Sequence, residues 1–276
     1  MIAVPSVTKA SIRFHYDLST LFYRLFWGRH IHHGLWEGTE SSTVAQQRLT
    51  ETLASLARVE PGNAVLDVGC GMGGSTMHLA RSGCDVTGVT LSPVQRRWCA
   101  IESWCRGLSR QTSWQCGDAE TLVLPDNAFD VVWSIECTEH LFDKSLFFRR
   151  AAQWLKPGGR MAICAWLAGD RTDAESVQRI KDVCEGFLCP SLGTSADYRQ
   201  WFEESGLVVQ QDLDWTNRVM QTWEICERRV HRSGVRHLAR LLDRETSLFL
   251  DRFRTILEAY REGSMKYGAF IATKRL

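Results

Sequence analysis

The stretch Val65-Leu66-Asp67-Val68-Gly69-Cys70-Gly71-Met72-Gly73-Gly74 constrains this chain more than any other feature, because an apolar run passes directly into a glycine loop. The apolar residues read as a buried strand, and Ser75 to Ala80 begin a helix whose N-terminal amides face the loop. Gly69, Gly71 and Gly73 let the backbone approach a ligand with no Cβ in the way. This is the layout of a nucleotide-cofactor site. Gly69, Gly71 and Gly74 also satisfy GxGxxG, so the glycines alone do not choose among nucleotides.

From Pro61 to about Leu167 strand and helix patterns alternate: Ala64–Val68, a helix to Arg81, Asp85–Thr90, a helix near Pro93–Arg106, Thr112–Cys116, Phe129–Ser134, a helix near Ser145–Leu155, and Arg160–Leu167. Right-handed crossovers between such strands predict an α/β fold with an open, doubly wound parallel sheet and ligands beyond its C-terminal strand ends. Lys156-Pro157-Gly158-Gly159 is expected to stop one helix and turn tightly into the next strand. Leu207–Leu213 and Lys266–Thr273 close a sheet of about seven strands. The expected organisation is a helical lid over residues 1–60, a core over 61–214, a helical cap over 215–263 and a closing strand over 264–276.

Composition narrows the function classes. With 33 basic and 32 acidic side chains the net charge is +1, which gives no reason to expect nucleic acid as partner. No run approaches the roughly 18 apolar residues of a membrane span. Met1 to Ile12 shows no targeting character, and a cytoplasmic location is expected. The ten cysteines form no CxxC and no Cys/His ligand spacing, so reduced thiols and no metal are expected.

The second strand ends in Thr90 and lacks the acid that a dinucleotide site uses for ribose, whereas an anionic Asp67 suits a cationic sulfonium better than a pyrophosphate. The pattern resembles motif I of the class I S-adenosyl-L-methionine (SAM) methyltransferases, in which the acidic strand-end residue lies near the methionine amino group. After the third strand, the carboxylate of Gly117-Asp118-Ala119-Glu120 can accept from an adenine amine while adjacent amides meet the ring nitrogens; an ordinary Asp turn is the alternative. The resemblance makes Asp118 the adenine residue, with Ala119 and Glu120 beside it. It also sets Thr90, Leu91 and Gln95 against ribose and adenine, as in methyltransferases with a TLSxxQ pattern, and so accounts for the missing acid. Ser134 is counted with the cofactor contacts.

The fourth strand ends Trp133-Ser134-Ile135-Glu136-Cys137-Thr138-Glu139-His140, which brings carboxylates and an imidazole to where the methyl group should emerge. Methyl transfer is an in-line displacement, so the protein aligns a nucleophile and removes a proton where needed. His140 or Glu139 is the candidate base for a phenolic acceptor. A helix-capping Glu139 and a packing His140 are the structural alternatives. Glu136 is expected to contact the acceptor or a lid residue.

The N-terminal segment His15-Tyr16-Asp17-Leu18-Ser19, Leu25-Phe26-Trp27-Gly28 and His32-His33-Gly34-Leu35-Trp36 is similar to the lid of the gamma-tocopherol methyltransferase-like group, related to sterol and cyclopropane-fatty-acid methyltransferases. Thr194-Ser195-Ala196-Asp197-Tyr198 and the segment from Glu258 to Gly268 extend the resemblance over most of the chain. It implies a Rossmann-like sheet with its last strand antiparallel, Tyr16 lying over the cofactor, and methylation of a ring carbon of a prenylated phenol or quinol. Relatives that methylate amines make N-methylation of a small amine the alternative, and a protein that binds SAM without transfer is a third reading. Cys137-Thr138 departs from the Ser-Gly often found there, which bears on the shape of the acceptor pocket.

His32 and His33 either fix the lid or meet the acceptor. Among eleven tryptophans, Trp36 and Trp166 are expected to line an apolar small-molecule acceptor site. Arg228, Arg232, Arg236, Arg240 and Arg244 suggest a stripe for peripheral contact with an anionic membrane. Four-residue steps drift around a helix, Gly234 interrupts the row, and Glu227, Asp243 and Glu245 dilute it, so it reads as a solvated face.

Overall fold

The computed structural model describes residues 1–171, 173–232 and 244–276. In chain order the elements are β1 (Ile2–Ala3), α1 (Lys9–Phe26), α2 (Ser42–Leu56), β2 (Ala64–Val68), α3 (Gly74–Arg81), β3 (Asp85–Thr90), α4 (Pro93–Cys105), β4 (Thr112–Cys116) and β5 (Phe129–Ile135). After a 3-10 turn at Thr138–His140 come α5 (Lys144–Trp154), β6 (Leu155–Ala168), α6 (Ala174–Gly186), β7 (Ser191–Leu192), α7 (Ser195–Glu204) and β8 (Leu207–Asp214). The chain closes with α8 (Thr216–Val219), α9 (Gln221–Arg232), α10 (Arg244–Glu262) and β9 (Met265–Lys274).

The main sheet has the order β4-β3-β2-β5-β6-β9-β8. Its pairings are parallel except for β9, which runs antiparallel to both β6 and β8. This is the doubly wound sheet with a reversed last strand that the sequence patterns and the family resemblance predict. Chain order reverses at β2, between β3 and β5, which opens a crevice at the C-terminal strand ends. Asp67 at the end of β2 pairs with Trp133 of β5, so the glycine loop and the Glu136–His140 segment leave the sheet side by side.

Alternation along the strands sends Val65 and Val131 to one face and Leu66 and Val132 to the other. On the first face, Leu49 and Leu53 of α2 join Met77 and Leu79 of α3; on the second, Phe147, Phe148, Tyr198, Phe202 and Phe270 interlock. Each fully buried Leu or Phe contributes about 1.5–3 kcal/mol. α2 therefore packs into the core beside the sheet. By contrast, α1 reaches the C-terminal strand ends, where Tyr16 meets His140 and Asp17 meets Ser92. A capping box between Thr8 and Ser11 starts α1 just before Lys9.

Two features differ from the sequence expectation. Leu155 already pairs with Phe129, and Val131 next pairs with Arg160, so Lys156-Pro157-Gly158-Gly159 forms an irregularity inside β6 instead of a turn before it. Asp130 holds the bulge, accepting from Lys156 Nζ at 2.9 and 2.8 Å and from the Ala64 amide at 2.8 Å. A small antiparallel pair of β1 and β7 was not legible, because each strand is two residues long and carries no period. Arg236 and Arg240 lie outside the described residues. Among the described residues no helix is long and apolar enough to cross a membrane.

Candidate functional site

The glycine loop is a close-fitted cradle. The amides of Gly69 and Cys70 both donate to the Val89 carbonyl at 2.9 Å, which folds the loop back over β3. Gly69 and Gly71 adopt φ of +77° and +52° and line the central cavity. A Cβ on Gly69 would stand 2.3 Å from Cβ and Sγ of Cys137. Gly69→Ala is thus expected to cost about 2–4 kcal/mol, combining left-handed backbone strain with overpacking, and to weaken cofactor binding. Denaturant unfolding checks this, and a wild-type midpoint would contradict the steric account. Gly73 is also left-handed, at φ +75°, but it lies under the Trp114 ring and does not border the central cavity.

The central cavity, about 800 Å³, is bordered by Gly69, Gly71, Thr90, Leu91, Gln95, Asp118, Ala119, Glu120 and Tyr16. Thr90 Oγ1 donates to Gln95 Oε1 at 2.8 Å, which leaves Gln95 Nε2 buried with no hydrogen-bond partner. Such an unspent donor suits a ribose or adenine acceptor. Asp118 Oδ1 accepts from the Glu120 amide at 2.9 Å. Lys9, which no motif signals, bridges Asp118 and Glu120, the latter at 2.9 Å. Ser134 instead donates to the Val68 carbonyl at 3.1 Å and ties β2 to β5 without bordering the cavity.

A smaller arm of about 310 Å³ continues past Gly69 and Gly71 to Asp67, Arg29, His30 and His32. Asp67 is buried and accepts from Thr76 Oγ1 at 2.6 Å. Burial raises its pKa to about 7, the bonds from Thr76 opposing only in part.

Three titratable residues after β5 have distinct environments. Glu136 adopts φ +51°, a left-handed conformation unusual for its type. Its Oε1 accepts from the His33 amide at 2.7 Å and the Tyr267 hydroxyl at 2.7 Å and lies 2.9 Å from His33 Nδ1, while Oε2 accepts from Trp166 Nε1 at 3.0 Å. Burial alone would raise its pKa, but His33, through its charge and hydrogen bonds, and then His32 outweigh it and bring it to about 2. Glu139 accepts from the Trp166 amide through Oε1, and its Oε2 is buried and unpartnered. Burial first, then the charge of Glu136, raises its pKa to about 8 against the Trp166 bond. His140 Nδ1 stands 3.0 Å from the Leu188 carbonyl, which can only accept, so Nδ1 carries the proton and Nε2 accepts from the Tyr16 hydroxyl at 2.9 Å. Burial lowers the His140 pKa to about 4.

A second cavity of about 630 Å³ adjoins the first and shares Tyr16, Ile31, Glu136 and His140 with it. Glu139 borders this second cavity alone of the two. Its walls are aromatic: Phe187 meets Trp166 edge-on at 5.3 Å and Trp223 at 5.2 Å, and stacks on Phe253 at 6.1 Å. Phe187, Trp223 and Phe253 escaped the sequence reading because they sit in no motif and come from three separate segments. Their only signal is the abundance of aromatics.

His32 and His33 also border it, but their ring nitrogens are committed. His33 bonds Glu136 through Nδ1 and accepts from Trp223 at Nε2. His32 donates from Nδ1 to the His33 carbonyl at 2.7 Å and takes His30 Nδ1 at Nε2, 3.0 Å away. Trp166 borders the cavity, whereas Trp36 does not: its indole donates to Thr222 Oγ1 at 2.9 Å and faces a separate space of about 250 Å³. Hydrogen bonding to α9 draws Trp36 away from the strand ends. No group of three or more metal-ligating side chains occurs among the described residues.

A family model described as a methyltransferase domain matches residues 66–163. A probable chloroplastic tocopherol O-methyltransferase of Oryza sativa subsp. japonica is 33% identical over 236 residues; the match covers 79% of this chain and 65% of that protein, so the chain spans a little under two thirds of its length. The 27-O-demethylrifamycin SV methyltransferase of Amycolatopsis mediterranei (strain S699) is 30% identical over 267 residues, which cover 94% of this chain and 95% of the relative. Among solved structures, the 4+2 cyclase SpnF superposes with a TM-score of 0.83 over 100% of this chain and 98% of its own, at 24% identity, a likeness of fold alone. Matching of this extent spans nearly the whole chain, and the chain belongs to the class I SAM-dependent methyltransferases, within the tocopherol methyltransferase-like group.

Proposed function

We propose that this chain methylates a ring carbon of a prenylated phenol or quinol. The observation that carries this reading is the junction of two cavities across Tyr16, Ile31, Glu136 and His140, one beside the glycine loop and one walled by aromatics. Around the second cavity Glu136 is saturated by donors, Glu139 is neutral below about pH 8 and His140 is neutral above about pH 4. A neutral, planar acceptor suits such walls.

The glycine cradle, the spare Gln95 donor and the Asp118 carboxylate fit the adenosyl part of SAM, and Asp67 fits its methionine ammonium. Bound SAM supplies an electrophilic methyl carbon. In our reading Tyr16 closes over the junction and donates to His140, so the imidazole stays in one tautomer. Glu139, ionised, takes the phenolic proton through its unpartnered oxygen as the ring carbon forms its bond to the methyl carbon and the methyl–sulfur bond breaks. The ring carbon would then give up its own proton to solvent while Glu139 returns the phenolic proton to the oxygen, which restores the aromatic phenol and leaves one proton released in net per methyl transferred. Glu136 holds His33 and Trp166 in place as a positioning residue.

Mass spectrometry with methyl-labelled SAM and a panel of prenylated phenols, quinols, sterols and small amines tests the reading. Label on a phenol ring carbon is expected; label on nitrogen, or SAM bound with no acceptor labelled, would overturn it. A second consequence concerns Asp67, which is protonated below about pH 7 in the free protein. A bound cation favours its ionised form, so SAM binding is expected to release up to one proton there, and affinity should fall about tenfold per pH unit below about pH 7. Calorimetry in buffers of different ionisation heat measures this, and an affinity flat across that range would remove Asp67 from the ammonium site.

A further inference from the structure

We propose that the outer face formed by α1 and α4 docks on an anionic lipid bilayer. The two helices lie side by side: Ser92 Oγ, at the start of α4, donates to Asp17 Oδ1 of α1 at 2.5 Å, and further along Arg24 of α1 stands close enough to Glu102 of α4 to stabilise its charge. Large apolar side chains stand on their solvent side. Phe14 and Leu18 are 68% and 73% exposed on α1, and Ile101 and Trp104 are 64% and 73% exposed on α4, with Val94 and Trp98 on the same side of α4 one and two turns earlier. Residues 94, 98 and 101 follow the spacing of one helix face. Side chains of this size exposed together mark a surface that something covers.

Charge decides what covers it. Arg13, Arg96 and Arg97 are exposed on these two helices, Arg13 with its Nε 3.6 Å from Asp17, while the one acid of each helix is already engaged, Asp17 with Ser92 and Arg13 and Glu102 with Trp98 and arginines. At the far end, Arg29 at 3.3 Å, Arg106 at 2.6 Å and Arg24 all address Glu102, with Arg81 near Arg29, so several guanidinium groups share one carboxylate. The Nε of Arg24 is buried there without a hydrogen-bond partner. A second copy of this chain across a twofold axis would set this basic rim against itself. Headgroup phosphates would complement it, with Trp and Phe side chains entering the interfacial layer. α1 also carries Tyr16, which borders both cavities, so docking would place the cavity mouth near the layer in which an apolar acceptor dissolves. The docking claim itself stands whatever the acceptor proves to be.

Flotation with phosphatidylcholine vesicles, with and without phosphatidylglycerol, tests it on the full chain. Binding is expected to the anionic vesicles and to be about tenfold weaker or more with neutral ones, with Arg13→Glu/Arg97→Glu, and with Ile101→Ser/Trp104→Ser. Quenching of wild-type tryptophan emission by brominated lipid should accompany it, a readout that needs no variant. Absence of both binding and quenching, binding indifferent to both variants, or a dimer in sedimentation that these variants dissociate would overturn the proposal.

Discussion

Replacing Glu139 with glutamine is expected to lower kcat for methyl transfer by about a hundredfold to ten-thousandfold, the usual contribution of a positioned general base. The amide keeps the side chain's shape and its acceptor for the Trp166 N–H, but it cannot take a proton. Because burial raises the Glu139 pKa from 4.5 to about 8, the carboxyl is neutral and inactive as a base below that value. Wild-type kcat should therefore rise with pH and level off above about 8, and the variant should lose that limb.

The same shift makes a second, independent prediction. A carboxyl whose folded pKa exceeds its unfolded one costs stability as pH rises, beginning near 4.5 and levelling off above about 8. Glu139→Gln should thus melt above wild type in alkaline buffer. Unchanged turnover in Glu139→Gln with a large loss in His140→Gln would move the base role to the imidazole.

Replacing Glu136 with alanine should destabilise the fold by about 3–5 kcal/mol, since it strands several buried donors at once. The carboxylate joins the segment between α1 and α2 at His33, the β6 end at Trp166 and the β9 strand at Tyr267. Losing it should raise hydrogen exchange in the segment around His33 before the sheet itself opens. Its depressed pKa, about 2 against 4.5, implies stability that is present above about pH 4.5 and lost as pH falls toward 2. A variant with the wild-type urea midpoint and wild-type protection around His33 would show that Glu136 does not hold that segment.

Much of the glycine-loop side of the cavity was legible because its signals are local. Strand periodicity from Val65 to Val68, glycines at positions that adopt positive φ, and Pro93 just inside α4 all act within a few residues. Thr90, Gln95 and Asp118 are likewise placed by the strand ends that carry them, and all three border the cavity beside the loop. Legibility fades where long-range partners decide. Trp36 and Trp166 both looked like acceptor-site tryptophans, yet Thr222 on α9 holds one away while Glu136 holds the other at the wall. Lys9 has no motif at all, and only the run of α1 across the strand ends brings it to Asp118 and Glu120.

By itself the sequence determined the order of strands and helices, the glycine cradle and the cluster of Glu136, Glu139 and His140 beyond β5, because backbone propensity and side-chain period are properties of neighbouring residues. Only the tertiary structure decided what each member of that cluster can do. Glu136 is spent on partners more than 100 positions before it and more than 100 after it, His140 is turned toward Tyr16, and Glu139 keeps one oxygen unpaired. Hydrogen-bond saturation and desolvation, which set those roles, arise when distant segments close over one point.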